Sequence, residues 1–176
     1  NVNNYLNRTK DGLVTFIVTL NMLSMPSIKK LMEGILELQR IHNVTKTRRD
    51  ENGKLIFYGI HRVYVDTPAL NFPAWQSLKV LPKEFWHYGD ECLEFMKANP
   101  DKNRESRWVG FKPHQISRFS RSLDFMKQGF ASLEEETEAQ ENFVKFFEAY
   151  DKRRGLDFHA TFPELSHYYH KWKARI

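Results

Sequence analysis

Polar side chains follow the ends of three segments that the residue pattern predicts to be strands. Thr19 and Asn21 close the first segment, Asp66 closes the second, and Lys79 lies on the third. Parallel sheets and barrels bind ligands at the carboxyl ends of their strands. These hydroxyl, amide, carboxylate and ammonium groups are therefore expected to point into one shared site for a polar ligand. The alternative is that Asp66 belongs to an ordinary turn and bonds the backbone beside it.

The loop between the second and third predicted strands, "TPALNFPAWQ", carries an amide at Asn71 and an indole at Trp75. An indole can stack on a flat heterocycle or on a peptide. A tryptophan beside Phe72 and Pro73 is more typical of a side chain that fills the core. That second interpretation is the one we favour for Trp75.

Two further groups of residues suggest chemistry only weakly. His167 and His170 lie three apart on a predicted helix, with His159 nearby, but the H-E-x-x-H spacing of a zinc site is missing. Surface or capping histidines are the favoured interpretation. The run 151–154, "DKRR", could clamp a phosphate or carboxylate, yet cations at a helix end also suit the helix dipole. No metal ligand is therefore assigned, and no catalytic residue is identified.

Composition excludes several classes of protein. The 176 residues carry a formal charge of +5, which permits a nucleic-acid partner without favouring one. Cys92 is the only cysteine, so this segment has neither an intrachain disulfide nor a thiolate cluster, which is typical of a cytoplasmic protein. The longest apolar run, 13–20, is too short to cross a membrane. Because the chain opens at Asn1 and is expected to enter a strand almost at once, we expect a processed or partial chain.

The elements that position these residues alternate between strand and helix as far as residue 98. Strands are predicted at 13–21, 62–66 and 77–81, helices at 28–41 and 83–98, and a polar excursion at 43–54 that continues into a small hairpin. After a charged linker only helices follow, at 112–127, from Ser132 to Gly155, and from Pro163 to Trp172. The predicted organisation is an α/β part, 1–98, and a helical C-terminal region, 99–176.

Three stretches together resemble a known family. They are "FIVTLNMLSMPSIKKLMEGILELQ", "VYVDTPALNFPAWQSLKVLP" and "FFEAYDKRRGLDFHATFPEL", and they are similar to the later half of radical S-adenosylmethionine (radical SAM) proteins with a shortened, twitch-type C-terminal region. The resemblance implies the later half of an incomplete (β/α)6 TIM-like barrel followed by a helical C-terminal region. It also implies an enzyme that forms a 5′-deoxyadenosyl radical with an iron-sulfur (4Fe-4S) cluster and modifies a peptide or other biomolecule.

The resemblance assigns roles to the polar residues. Thr19, Asn21 and Asp66 would contact S-adenosylmethionine, with Thr19 and Asn21 near its ribose or carboxylate. The substrate side would be lined by Asn71, Trp75, Ser77 and Lys79.

The chain departs from the family in lacking the C-x3-C-x2-C motif that holds the cluster. The segment is therefore expected to hold no cofactor alone and to be inactive without an N-terminal barrel half as partner, with a peptide or small-molecule substrate. A different interpretation is a cluster-free basic α/β module that binds RNA or an acidic protein through the helices around Arg118, Arg121, Arg153 and Arg154. A third is a cluster-free relative retained as an interaction subunit.

Overall fold

The computed structural model describes residues 1–9, 11–101 and 109–176, with the side chains of 44–48 and 56–60 left out. The strands of this part are β1 (Val14–Ile17), β2 (Val44–Arg49), β3 (Leu55–Ile60) and β4 (Val63–Asp66). Its helices are α1 (Val2–Arg8), α2 (Ile28–His42), α3 (Trp86–Ala98), α4 (Pro113–Gln128), α5 (Leu133–Arg154), α6 (Phe158–Thr161) and α7 (Ser166–Lys173). Short 3₁₀ helices lie at Met25–Ser27, Ala74–Gln76, Leu78–Val80, Lys83–Phe85 and Pro163–Leu165. The fold is mixed α/β and mostly helical.

The first two predicted strands pair in parallel, as expected. The register of β1 and β4 runs from Val14 opposite Val63 to Ile17 opposite Asp66. Beyond both strands the pairing continues through a bridge between Leu20 and Ala69. The carboxyl ends of both strands therefore lie side by side, which confirms that the residues following them are neighbours.

The crossover from β1 to β4 contains α2 and the predicted hairpin. Strands β2 and β3 pair antiparallel, and the Asp50 carboxylate closes their turn by accepting from the backbone N–H groups of Asn52 (2.9 Å) and Lys54 (2.8 Å). Gly53 has a positive φ of 75°, a conformation that glycine adopts without steric cost. The polar excursion at 43–54 is thus the arm of a β-hairpin.

The prediction of a third strand at 77–81 is wrong. Residues Leu78–Val80 form a 3₁₀ helix, and the Ser77 hydroxyl caps it by accepting from the Lys79 N–H (3.3 Å). Leu78 and Leu81, three residues apart, are both buried, a spacing that one 3₁₀ turn places on one side. The described residues thus contain a two-stranded parallel sheet, and a half-barrel is not confirmed.

The expectation that the chain enters a strand almost at once missed helix α1, which precedes β1. The Asn1 side chain accepts from the Asn3 N–H (3.1 Å) and starts helix α1, whose Leu6 is buried in the core. Short polar sequences such as this one carry little helical periodicity, and α1 is held by its cap and by the packing of Val2 and Leu6 on the core.

The helical region follows the sequence closely. Ser132 caps α5 by accepting from the Glu135 N–H (3.1 Å), and the helix ends at Gly155 in a left-handed conformation. One hydrophobic core draws on both predicted parts, including Leu20 and Val63 from the first and Phe119 from the second. A division into separate units at residue 98 stays a prediction. None of the described helices is long and apolar enough to cross a membrane.

Candidate functional site

The outer edge of β4 is closed by side chains instead of a third strand. Asn43 accepts from the Val63 N–H (3.2 Å), Gln115 Nε2 donates to the Val65 carbonyl (2.9 Å), and Ser122 donates to the Thr67 carbonyl (3.1 Å). These side chains come from the end of α2 and from α4, and all three are buried. Because these side chains already bond the Val63 N–H and the carbonyls of Val65 and Thr67, they occupy positions that a further strand beside β4 would need.

The opposite edge, that of β1, has no strand beside it in the described residues. The N–H groups of Val14, Val18 and Leu20 donate to the segment that contains β4. In a parallel pair the intervening residues, Thr15 and Ile17, direct their N–H and C=O groups the other way. A further strand would therefore fit on the β1 side, where no described residue pairs with these groups.

One face of the sheet is also open. Val14 and Phe16 turn toward the core, whereas the alternate residues do not: Ile17 is 70% exposed and Leu13 57%. The register sets Ile17 beside Asp66, so the side chains of Thr19 and Asp66 emerge on this same face. We call it the open face.

Asp66 is held at the carboxyl end of the open face by an arginine from α4. Its Oδ1 accepts from Arg118 (2.6 Å) and from the Thr67 backbone N–H (3.0 Å). The turn interpretation of Asp66 is thus correct for one oxygen. No described residue donates to the other oxygen, Oδ2, which leaves it able to accept from a ligand.

The two residues predicted beside Asp66 behave differently. Thr19 is exposed, and its hydroxyl has no intramolecular role among the described residues. The Asn21 side-chain oxygen instead accepts from the N–H groups of Leu23 (2.9 Å) and Ser24 (3.1 Å). This oxygen organises the turn that starts the following helix, so only the amide nitrogen of Asn21 remains for a ligand.

A shallow cleft of about 380 Å³ lies between the loop after β4 and one face of α4. Residues Arg118, Arg121 and Phe125 line it at helical spacing, and exposed Asn71 faces them from the loop. Lys79 lies with its Nζ 4.6 Å from the centre of the Phe125 ring. We call this the arginine cleft. Its cations and amide suit an anionic ligand.

Trp75 and Ser77 do not contribute functional groups to the arginine cleft. Trp75 packs on Phe146 of α5, with ring centres 4.2 Å apart, which agrees with the interpretation of Trp75 as a core side chain. Ser77 is buried as a helix cap. Of the four residues predicted on the substrate side, only Asn71 and Lys79 lie at an accessible cleft.

A second cavity, of about 410 Å³, has aromatic side chains as half of its lining residues. We call it the aromatic pocket, and its lining is Leu23, Gln76, Phe146, Phe147, Tyr150, Asp151, Leu156, Phe158, Thr161 and Phe162. Leu23 follows β1 and Gln76 follows β4, so this pocket also opens from the carboxyl ends of the two strands. The rest of its wall comes from the end of α5, from α6 and from the loop between them.

The metal chemistry weighed from sequence finds no support in the described residues. They contain no group of three or more histidines, cysteines or acids placed to hold a metal. His159 stacks on His170 with ring centres 4.4 Å apart and bonds the Ser166 hydroxyl (3.0 Å). Cys92 is fully buried, and burial raises the pKa of its thiol to about 12, which makes it a poor ligand.

No protein-family model, no curated protein and no solved structure matches this chain. The family resemblance stays a prediction. Function is therefore inferred from the geometry of the open face, the arginine cleft and the aromatic pocket.

Sequence reasoning named Arg118 only as a basic surface residue and did not predict that α4 closes β4 and holds Asp66. Gln115, Arg118 and Ser122 follow one another at intervals of three and four residues, so they share one side of the helix. Ser122 also adjoins the apolar stripe. Polar residues at these spacings beside such a stripe are a signal that a helix faces exposed backbone of a neighbouring element.

Proposed function

We propose that this chain is the substrate-side half of a radical SAM enzyme, completed by a second polypeptide segment that adds a strand to β1. The observation that carries the proposal is the asymmetry of the parallel pair. Side chains bond the outer edge of β4, whereas among the described residues β1 has no strand on its other edge and carries an exposed face that includes Ile17. An exposed apolar edge strand is a template for strand addition.

The polar ends of β1 and β4 support the same proposal. Thr19 offers a hydroxyl, and Asp66 offers one carboxylate oxygen fixed in place by Arg118. Both lie at the carboxyl end of the strands, where barrels hold their ligands. In the completed enzyme these two groups bind and orient the polar part of the cofactor or substrate.

The residues present do not fit the iron-sulfur cluster of the family. Cys92 is the single cysteine of the sequence and is fully buried with a raised thiol pKa. The cluster ligands must therefore belong to the partner segment. No reaction step is assigned to this chain beyond binding and orientation.

The test is to produce the chain together with the polypeptide encoded immediately upstream and to purify both without oxygen. We expect a complex that contains about four irons with matching sulfide per pair of segments. Ile17→Lys, which places a charge on the open face of the edge strand β1, should prevent assembly. Leu133→Lys, at an apolar residue that is 78% exposed on α5, is the matched control and should assemble normally.

Two results would overturn this assignment. One is an upstream segment that has no cysteine motif and brings no iron. The other is an Ile17→Lys chain that assembles as well as the control, because strand addition at β1 would then be excluded.

The arginine cleft favours a second candidate, binding of single-stranded RNA. Arg121 has no acidic partner among the described residues, and Phe125 and Lys79 place a ring and a cation beside it. Such combinations stack bases and contact phosphates. Arg121→Ala should weaken binding of an RNA oligonucleotide and reduce the salt slope by about one. Lys97→Ala, at an exposed residue of α3, is the control. Equal salt slopes in the two variants would exclude the arginine cleft as the RNA-binding site.

A further inference from the structure

The aromatic pocket combines several ring walls with one carboxylate. Phe146 and Tyr150 lie one turn apart on α5. Their ring centres are 5.7 Å apart and the ring planes are nearly parallel, with an angle of 17° between them. Phe158 and Phe162 lie on the other side, with ring centres 5.3 Å apart. Phe146, Tyr150 and Phe162 are only partly buried, so their surfaces remain accessible. These three rings are therefore the aromatic part of the wall that a ligand can contact.

Among the described residues that line the pocket, Asp151 supplies the only formal charge. Its Oδ2 accepts from the Phe158 backbone N–H (2.7 Å), which fixes the carboxylate against α6. Within the described part of the chain Asp151 forms no salt bridge with a lysine or arginine. The three cations that follow it, at 152–154, are exposed and do not line the pocket.

We propose that the aromatic pocket binds an organic cation, such as a methylated ammonium group. Cations are attracted to the faces of aromatic rings, most strongly where water is partly excluded. A carboxylate at the same place adds a full opposite charge. A neutral apolar ligand would leave the Asp151 carboxylate without an opposite charge, and an anion would be repelled by both the rings and the carboxylate. The volume of about 410 Å³ accommodates a small quaternary ammonium.

This cation site is independent of the half-barrel proposal, because every group in its wall belongs to the present chain. The cation can come from a free small molecule or from a side chain of a peptide. Both sources share the same chemistry, and the length of the probe distinguishes them.

The test is calorimetric titration of the full chain with choline and with 3,3-dimethyl-1-butanol, the uncharged analogue of the same shape. Choline should bind at least about tenfold more tightly than the neutral analogue. A short peptide that carries trimethyl-lysine is the third probe. Tighter binding of the peptide than of choline identifies a peptide ligand, and the reverse identifies a free cation.

Variants locate the site. Asp151→Asn keeps an oxygen for the Phe158 N–H but removes the charge, and should weaken choline binding about tenfold. Tyr150→Leu should weaken it about fivefold, through loss of one ring. Glu141→Gln removes the same charge about 15 Å away along α5, beyond the range of screened interactions, and should bind as the unaltered chain does.

Three results would overturn the proposal: no heat with any cationic probe at millimolar concentration, equal binding of choline and its neutral analogue, or equal binding by Asp151→Asn and Glu141→Gln. The comparison of the two probes uses the unaltered chain, so it decides the matter even where a variant fails to fold.

Discussion

Replacing Gln115 by leucine tests whether side chains stand in for a strand along β4. Gln115 is 7% exposed and bonds two backbone groups at once. Its Nε2 donates to the Val65 carbonyl (2.9 Å), and its Oε1 accepts from the Lys112 N–H (2.8 Å). Leucine has a similar size but satisfies neither group.

The expected cost follows from the burial of those two groups. A buried carbonyl left without a donor costs about 1 to 3 kcal/mol, and the loss of a hydrogen bond that water can partly replace costs about 0.5 to 1.5 kcal/mol. We therefore expect Gln115→Leu to lower the free energy of unfolding by about 2 to 4 kcal/mol, a large share of the 5 to 15 kcal/mol typical of a domain.

Urea unfolding, followed by circular dichroism and tryptophan fluorescence, measures this difference. Gln128→Leu, the same change at the exposed last residue of α4, should cost less than about 0.5 kcal/mol. Equal effects of the two substitutions would refute the idea that Gln115 closes the edge. The inference that a further strand would fit on the β1 side and not beside β4 would then lose its main support.

Three further outcomes are expected. Asp66→Asn should lower the free energy of unfolding by less than about 1 kcal/mol, since its pair with Arg118 is half exposed. In the enzyme proposed above the same change should clearly lower activity; an activity loss no larger than the loss of folded protein explains would make Asp66 only a turn residue. Iodoacetamide at pH 8 should leave Cys92 unmodified until urea unfolds the chain, because burial raises the thiol pKa to about 12; rapid labelling of the native chain would contradict this. Burial, and then the charge of Arg62, lower the pKa of His42 below 6.5, so the unfolded state binds the proton more strongly and stability falls as the pH drops below 6.5. Urea midpoints between pH 5 and 7.5 should show a shallower fall in His42→Gln.

Local signals predicted much of the fold. The start of α5 at Ser132 and its end at Gly155 could be predicted from the sequence because helix capping depends on neighbouring residues. The parallel pairing of β1 and β4 was readable from apolar strands separated by an amphipathic helix. The positions of Thr19 and Asp66 on one face follow from that pairing and the alternation of side chains.

What failed depended on contacts far apart in the sequence. The segment 77–81 has a strand-like composition, but Gln115 and Ser122, from a helix still to come, already satisfy the β4 edge. No pattern within 77–81 carries that information. For the same reason the aromatic pocket was not predicted, because it needs Leu23, Gln76 and the end of α5 to meet.

The polar side chains at the two ends of the β1–β4 pair are hydrogen-bonded differently. At the amino end the buried Arg62 guanidinium donates to the carbonyls of Leu6 (2.9 Å), Thr9 (2.6 Å) and Gly12 (3.0 Å). These bonds, from Nε and Nη2, hold the start of the chain in place. At the carboxyl end, by contrast, Asp66 beside the arginine cleft keeps one oxygen, Oδ2, to which no described residue donates. The aromatic pocket opens from the same loops through Leu23 and Gln76. The segments after β1 and β4 therefore border two clefts of opposite charge, with Arg118 and Arg121 in one and Asp151 in the other, which suits the anionic and cationic ligands proposed above.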